Sequence, residues 1–266
     1  MSRTNNACEY ILDENTDDAI CEAYKTARTN LVFSLARNDN KIVTVTSCSS
    51  GEGKSINCIN MAIALSQIGE KVLIIDANLR NPSMHTLFGI KCKYGLSLIL
   101  GGFCANVDDA VNKNVRKNLD VIVAGPIPPN SSELLSSPYM KQTLDRLKDR
   151  YDYIIIDTPA INGTPDSQIL NTLISGMILV VRSEHTSHVA LQEALKTIKL
   201  ANGKILGFLK VDCNPKMIRN MRKNNKKRQQ GEKSYYDFES LEKIFVEETD
   251  EYGDKPVLES DAKTDK

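Results

Sequence analysis

The chain has 266 residues, enough for one large domain or one domain with tails. Its 41% hydrophobic content suits a packed core, and its 34 basic side chains balance 34 acidic ones, so net charge offers no overall attraction to nucleic acid or to an anionic membrane. Seven cysteines (Cys8, Cys21, Cys48, Cys58, Cys92, Cys104 and Cys213) show no CxxC spacing and no neighbouring histidine cluster, which argues against a zinc site or a disulfide framework and for reduced thiols.

In chain order, residues 1–17 are polar, without an apolar signal region, and are expected to be mobile. A helix is expected from about Asp18 to about Arg37, with Ala23, Ala27, Leu31 and Leu35 at helical spacing. Short apolar, β-branched runs follow at 42–46, 72–75, 119–123, 153–156, 177–181 and 205–209, the signature of strands covered on both faces. Between them lie expected helices from about Lys54 to about Ile68, with Gly69 as terminator, and near 132–149, 166–174 and 186–201. Strands alternating with helices imply βαβ units, hence a doubly wound, mostly parallel α/β sheet with helices on both faces. No stretch reaches the roughly 20 apolar residues a membrane helix needs. The domain is expected to span 18–213. In the tail, 214–266, residues 216–233 hold eight Lys or Arg and one acid, and residues 237–254 hold eight acids and one Lys. Such blocks are expected to be solvated or disordered.

The first strand runs into Ser47-Cys48-Ser49-Ser50-Gly51-Glu52-Gly53-Lys54-Ser55 and then a helix. Strand, glycine-containing loop and helix, in that order, make a P-loop. The glycines let backbone N–H groups converge on phosphate oxygens, and the helix N-terminus adds unpaired donors and a favourable dipole. Ser50, Gly51, Glu52, Gly53, Lys54, Ser55 and Ile56 are the candidate nucleotide-binding residues, with Lys54 reaching the β- and γ-phosphates of ATP and Ser55 placed for Mg²⁺. Cys48 occupies the slot where the pattern has its first glycine. Two later strands end on acids, Asp76 and Asp157, where parallel strands line a ligand crevice. Asp157 after Tyr153-Ile154-Ile155-Ile156 has the form of a Walker B aspartate and a metal-ligating role. For Asp76, catalysis or metal binding competes with capping of the next turn.

These residues resemble the bacterial tyrosine kinases of capsule and exopolysaccharide synthesis. Ser47–Ser55 is similar to the family's Walker A, Asp76-Ala77-Asn78-Leu79-Arg80-Asn81-Pro82 to its Walker A′, and Asp157-Thr158-Pro159 to its Walker B. Gly125-Pro126-Ile127-Pro128-Pro129-Asn130-Ser131-Ser132-Glu133-Leu134-Leu135 resembles its GPxPPNPxELL stretch, and Glu22, Lys25 and Arg28 fall on the pattern of its ExxRxxR assembly helix. The resemblance implies an ATP- and Mg²⁺-dependent kinase with Lys54, Asp76 and Asp157 catalytic and Ser55, Asp76 and Asp157 at the metal. It further implies acceptor tyrosines in the tail (Tyr235, Tyr236 and Tyr252), self-assembly into a ring, a membrane adaptor of polysaccharide chain-length control, and a cognate tyrosine phosphatase. With no membrane span read in the sequence, it implies the stand-alone form, cytoplasmic and held at the inner face of the plasma membrane by the adaptor.

Departures from the pattern fall on Asn78 (an acid in the family), Val211 (an Asn that reads the adenine edge), Lys25 (Arg), Ser131 (Pro) and Ala160 (Pro). Asn78 keeps hydrogen-bonding capacity but loses charge and proton affinity, which leaves open a nucleotide-binding regulatory module without phosphotransfer. A third reading is a partition or positioning ATPase of the MinD/ParA type, against which Ser49 stands where that class has a signature lysine.

Overall fold

The computed structural model describes residues 10–91, 94–104 and 106–211. A seven-stranded sheet forms the centre, in the order β3-β4-β2-β5-β1-β6-β7. Its strands are β1 (Ile42–Ser47), β2 (Val72–Asp76), β3 (Val111–Arg116), β4 (Leu119–Ile122), β5 (Tyr153–Asp157), β6 (Gly176–Arg182) and β7 (Ile205–Val211). Six strands run parallel, and β3 pairs antiparallel with β4 at one edge. The helices are α1 (Asp18–Ser34), α2 (Lys54–Ser66), α3 (Met84–Leu87), α4 (Leu96–Leu100), α5 (Ser131–Ser136), α6 (Pro138–Leu147), α7 (Asp166–Ile169) and α8 (His188–Leu200).

Strand side chains alternate between two faces, and the core follows that period. Val43, Val45, Ile74, Ile155, Ile178 and Val180 point to the face covered by α1 and α2. Ile42, Leu73, Ile75, Ile154 and Ile156 point to the other face, beneath α4 and α6, while Met177 and Leu179 meet Ala194 and Ile198 of α8. All residues of β1, β2 and β5 are buried, so the central strands that end at the phosphate loop and the two aspartates are covered on both faces.

The expected doubly wound sheet is present, with four local corrections. The stretch 132–149 is two helices, α5 and α6, because Pro138 lacks an N–H and opens a new helix at its first position. The stretch 166–174 is one α-helical turn followed by a 3₁₀ turn at Leu170–Leu173. Helix α1 ends at Ser34 and α2 at Ser66, short of the expected Arg37 and Ile68; Gly69, at φ 95°, follows with its N–H on the Ser66 carbonyl. Finally, β3 was absent from the expected strands. The predicted tail acceptors Tyr235, Tyr236 and Tyr252 lie outside the described residues.

Candidate functional site: the phosphate loop and two strand-end aspartates

The loop between β1 and α2 lies at the carboxyl ends of the parallel strands. Gly51 and Gly53 hold φ of 82° and 84°, the left-handed region that residues with a side chain avoid. Gly53 is the N-cap of α2 and supplies no side-chain hydrogen bond, so the N–H groups of Lys54, Ser55 and Ile56 in the first turn remain for an anion. The Ile56 side chain packs on the core instead, which limits its part in the cradle to its backbone. Lys54 is buried beside the loop, and Ser50 and Gly51 are exposed at its tip.

Glu52 is fully buried, and its carboxylate accepts the Ser49 N–H at 3.1 Å and the Thr186 hydroxyl at 2.7 Å. The Thr186 oxygen in turn accepts the Arg182 N–H, and the Arg182 guanidinium donates to the Gly51 carbonyl at 3.1 Å. The β6–α8 connection thus braces the outer turn of the loop. Glu52 therefore acts here as an internal strut whose side chain is already engaged.

Asp157 ends β5. Its backbone is pinned on both sides, with the Ala77 N–H on its carbonyl and the Thr158 N–H on Val45. Its Oδ2 accepts the Ser55 hydroxyl at 2.6 Å, while Oδ1 is buried without a partner. An orphaned carboxylate oxygen beside a serine hydroxyl is a donor set that fits a hard divalent cation, which takes one or two carboxylates together with phosphate oxygens. Among the described residues no group of three or more His, Cys, Asp or Glu is arranged to hold a metal alone, so such a cation would rest on this pair and on the nucleotide.

Asp76 is the register partner of Asp157 across β2 and β5. Its Oδ1 accepts the Asn78 N–H at 3.1 Å, and its Oδ2 accepts the N–H groups of Ser83 and Met84 at 3.3 and 3.2 Å. The turn-capping role is therefore filled, in addition to any chemical one. Burial pushes both carboxyls up, Asp157 to about 6 and Asp76 to about 8. Asp157 rises less because the Lys54 ammonium and the Ser55 hydroxyl favour its charge, and that charge then opposes ionisation of Asp76.

Asn78 is nearly buried, and its side-chain oxygen accepts the Asn81 N–H at 3.3 Å, closing the Walker A′ turn. Arg80 leaves this turn and grips Asp166 at the start of α7, Nε to Oδ2 at 2.9 Å, with the Ser132 hydroxyl bridging Arg80 and Asp166 at 2.7 Å on each side. Asp166 is wholly buried, and the adjacent Ser167 hydroxyl donates to Thr158 Oγ1 and the Pro159 carbonyl. Asp166 and Ser167 so tie together the turn after β2, the Pro-rich stretch before α5 and the turn after β5. Gly125, at φ 82°, opens that stretch; a Cβ there would lie 2.8 Å from the Ser97 hydroxyl. Sequence reading missed Asp166, Ser167 and Thr186, whose only signal was position at helix starts or in short loops.

The remaining site candidates lie elsewhere. Glu22 and Lys25 form a 2.7 Å pair on α1 at 66% and 50% side-chain exposure, and Arg28 donates to the Ala64 carbonyl of α2 at 3.0 Å. Val211 ends β7, its carbonyl accepting the Ser183 N–H and its side chain packing on the α1 face of the core. Of the cysteines described, Cys21, Cys48, Cys58 and Cys104 are free, and burial pushes the Cys48 thiol up to about 12.

Residues 40–211 match the family model described as "AAA domain". The chain is 40% identical to the tyrosine-protein kinase YwqD of Bacillus subtilis (strain 168) over 188 residues, covering 71% of this chain and 79% of that protein. It is 36% identical over 189 residues to the putative tyrosine-protein kinase CapB of Staphylococcus aureus, covering 71% and 82%. Among solved structures, the kinase domain of the Escherichia coli tyrosine kinase ETK superposes with a TM-score of 0.69 at 30% identity, covering 71% of this chain and 74% of that one. With a phosphate loop, two strand-end aspartates and these relatives along most of its length, the chain belongs to the AAA-domain family and, within it, to the bacterial tyrosine kinases.

Proposed function

We propose that this protein is an ATP-dependent protein-tyrosine kinase that phosphorylates tyrosines of its own tail, Tyr235, Tyr236 and Tyr252, and so regulates capsule or exopolysaccharide synthesis. The observation that carries the reading is the Ser55–Asp157 contact beneath the loop, with one buried Asp157 oxygen left open. In this reading the N–H groups of the α2 first turn and Lys54 bind and orient the phosphates. Ser55 and Asp157 hold Mg²⁺, with Asp76 beside them. A cation held there would supply neutralisation of the charge developing on the transferred phosphoryl group. With a bound cation favouring its charged form, Asp76 would take the proton of an incoming tyrosine hydroxyl, whose ordinary pKa near 10 makes it a poor nucleophile without a base.

The exposed Glu22–Lys25 pair and Arg28 on α1 belong, in this reading, to a contact between copies in a ring. A membrane adaptor of polysaccharide chain-length control would place the ring at the inner face of the plasma membrane, and a cognate phosphatase would reset it. Phosphate mapping after incubation of the full chain with Mg-ATP tests the proposal. Phosphotyrosine at Tyr235, Tyr236 or Tyr252, and its loss when all three are changed to Phe, is the expected result. A second reading, a nucleotide-binding module without phosphotransfer, is favoured by Asn78, which brings no charge to the site and spends its oxygen on Asn81. Bound ATP with no phosphotyrosine would select it.

A further inference from the structure

A chain of side-chain hydrogen bonds joins the N-terminal segment to the phosphate loop through α1 and α2. It starts at Asn60 of α2, whose Oδ1 accepts the Leu12 N–H at 2.9 Å and whose Nδ2 donates to the Tyr10 carbonyl at 2.9 Å. The same Nδ2 donates to the Tyr24 hydroxyl of α1 at 3.1 Å. Tyr24 passes its own proton on to Asn57 Oδ1 at 2.8 Å, and Asn57 Nδ2 donates to the Gly53 carbonyl at 2.9 Å. From Asn60 Nδ2 through the Tyr24 hydroxyl to Asn57 Nδ2, each successive donor points toward the loop.

Direction matters because an asparagine amide has two ends. A donor from Tyr24 fixes oxygen toward α1 and therefore Nδ2 toward Gly53; without it, the amide is free to turn over. The Gly53 carbonyl then accepts two bonds, from Asn57 Nδ2 and from the Asn57 backbone N–H at 3.1 Å. In a trans peptide the carbonyl and the following N–H point in opposite directions. Holding the Gly53 oxygen down into α2 aims the Lys54 N–H out of the helix, where an anion binds. Gly53, at φ 84°, lies in a region where glycine has wide freedom, so an external hold on this peptide has something to restrain. Burial raises the Tyr24 pKa, which keeps its hydroxyl protonated as a donor.

We propose that Tyr24 and Asn57 are positioning residues for the nucleotide loop, and that through them the seating of α1 on α2 sets nucleotide affinity. The proposal rests on the ATP-binding part of the function above and not on tyrosine transfer. It gives α1 a second role: a partner that lifts or presses α1 changes the loop without touching it.

Calorimetric titration of the full-length protein with Mg-ATP tests this in four proteins: wild type, Tyr24→Phe, Asn57→Ala and the double variant. Loss of one hydrogen bond in the chain corresponds to an affinity loss of about threefold to tenfold. Each single variant is expected to show it, and the double variant to be no weaker than Asn57→Ala alone, because both changes break the same chain. Unchanged affinity in Tyr24→Phe, whatever its melting temperature, overturns the proposal and leaves the hydroxyl a packing feature. Additive losses in the double variant overturn it as well. A wild-type protein that fails to bind Mg-ATP would instead overturn the functional reading beneath it.

Discussion

The two strand ends that carry the aspartates are built differently. At the end of β5, Asp157 is incompletely satisfied: one oxygen holds Ser55 and the other, though buried, holds nothing. At the end of β2, Asp76 is saturated by three backbone N–H groups, Asn78 closes its own turn, and Arg80 is locked onto Asp166 and Ser132. Buried polar atoms normally find partners, so the bare Asp157 oxygen beside the phosphate loop is open to a ligand, whereas Asp76 also holds its own turn. The β5 end has an open acceptor; the turn after β2 beside it is tied to α7 and α5.

This contrast orders the expected effects of substitution. The largest belongs to Asp157→Asn, which keeps shape and the neighbourhood of Ser55 but removes the charge. Phosphoryl transfer should fall by about 100-fold or more, the scale for losing a preorganised electrostatic group at a reacting centre, and the Mg²⁺ dependence of ATP binding should flatten. Retained transfer would mean that the open oxygen has no part in the chemistry.

Next is Asp166→Ala, which attacks that tie. It leaves the Arg80 guanidinium and the Ser132 hydroxyl without their buried acceptor. A loss of about 2 kcal/mol is expected, less than for a fully buried pair because Arg80 is 45% exposed and can turn to water. For a domain of this size that is a drop in Tm of roughly 4–8 °C. Scanning calorimetry of the variant without nucleotide reads it, and an unchanged Tm would show that the Walker A′ turn does not depend on this tie.

The remaining effect is a pH dependence, read on the unsubstituted protein. Asp76 has a folded-state pKa of about 8, raised first by burial and then by the Asp157 charge. Between its ordinary value of about 4 and that raised value, the folded state binds more protons than the unfolded one. Stability of the metal- and nucleotide-free protein should therefore fall as pH rises across this window, the reverse of the usual trend for a salt-bridged aspartate. Melting curves between about pH 5 and pH 8 should show it, and Asp76→Asn should flatten the slope. A slope of opposite sign, or one indifferent to Asp76→Asn, would place the titrating group elsewhere.

Much of this architecture was legible in the sequence. The runs IVTVT, VLII and YIII are apolar throughout because both faces of a central parallel strand are covered, and that pattern fixed β1, β2 and β5. Gly51, Gly53, Lys54 and Ser55 are separated by local chain geometry, so their spacing alone implies the loop. Edge strand β3, Val-Asn-Lys-Asn-Val-Arg, has no apolar run and only two β-formers among polar residues, and its pairing comes from β4. The break at Pro138 was written in the chain, but the apolar spacing on either side outweighed it. Asp166 and Thr186 were invisible for another reason: their partners Arg80 and Glu52 stand 86 and 134 residues away, and no local pattern encodes such a meeting.

The most direct test of the central claim is intact mass of the full chain after incubation with Mg-ATP, beside Lys54→Met. The account requires added phosphates on the wild-type protein, dependent on Mg²⁺ and absent from Lys54→Met. An unmodified wild-type mass with ATP bound, or equal phosphorylation of both proteins, would contradict it.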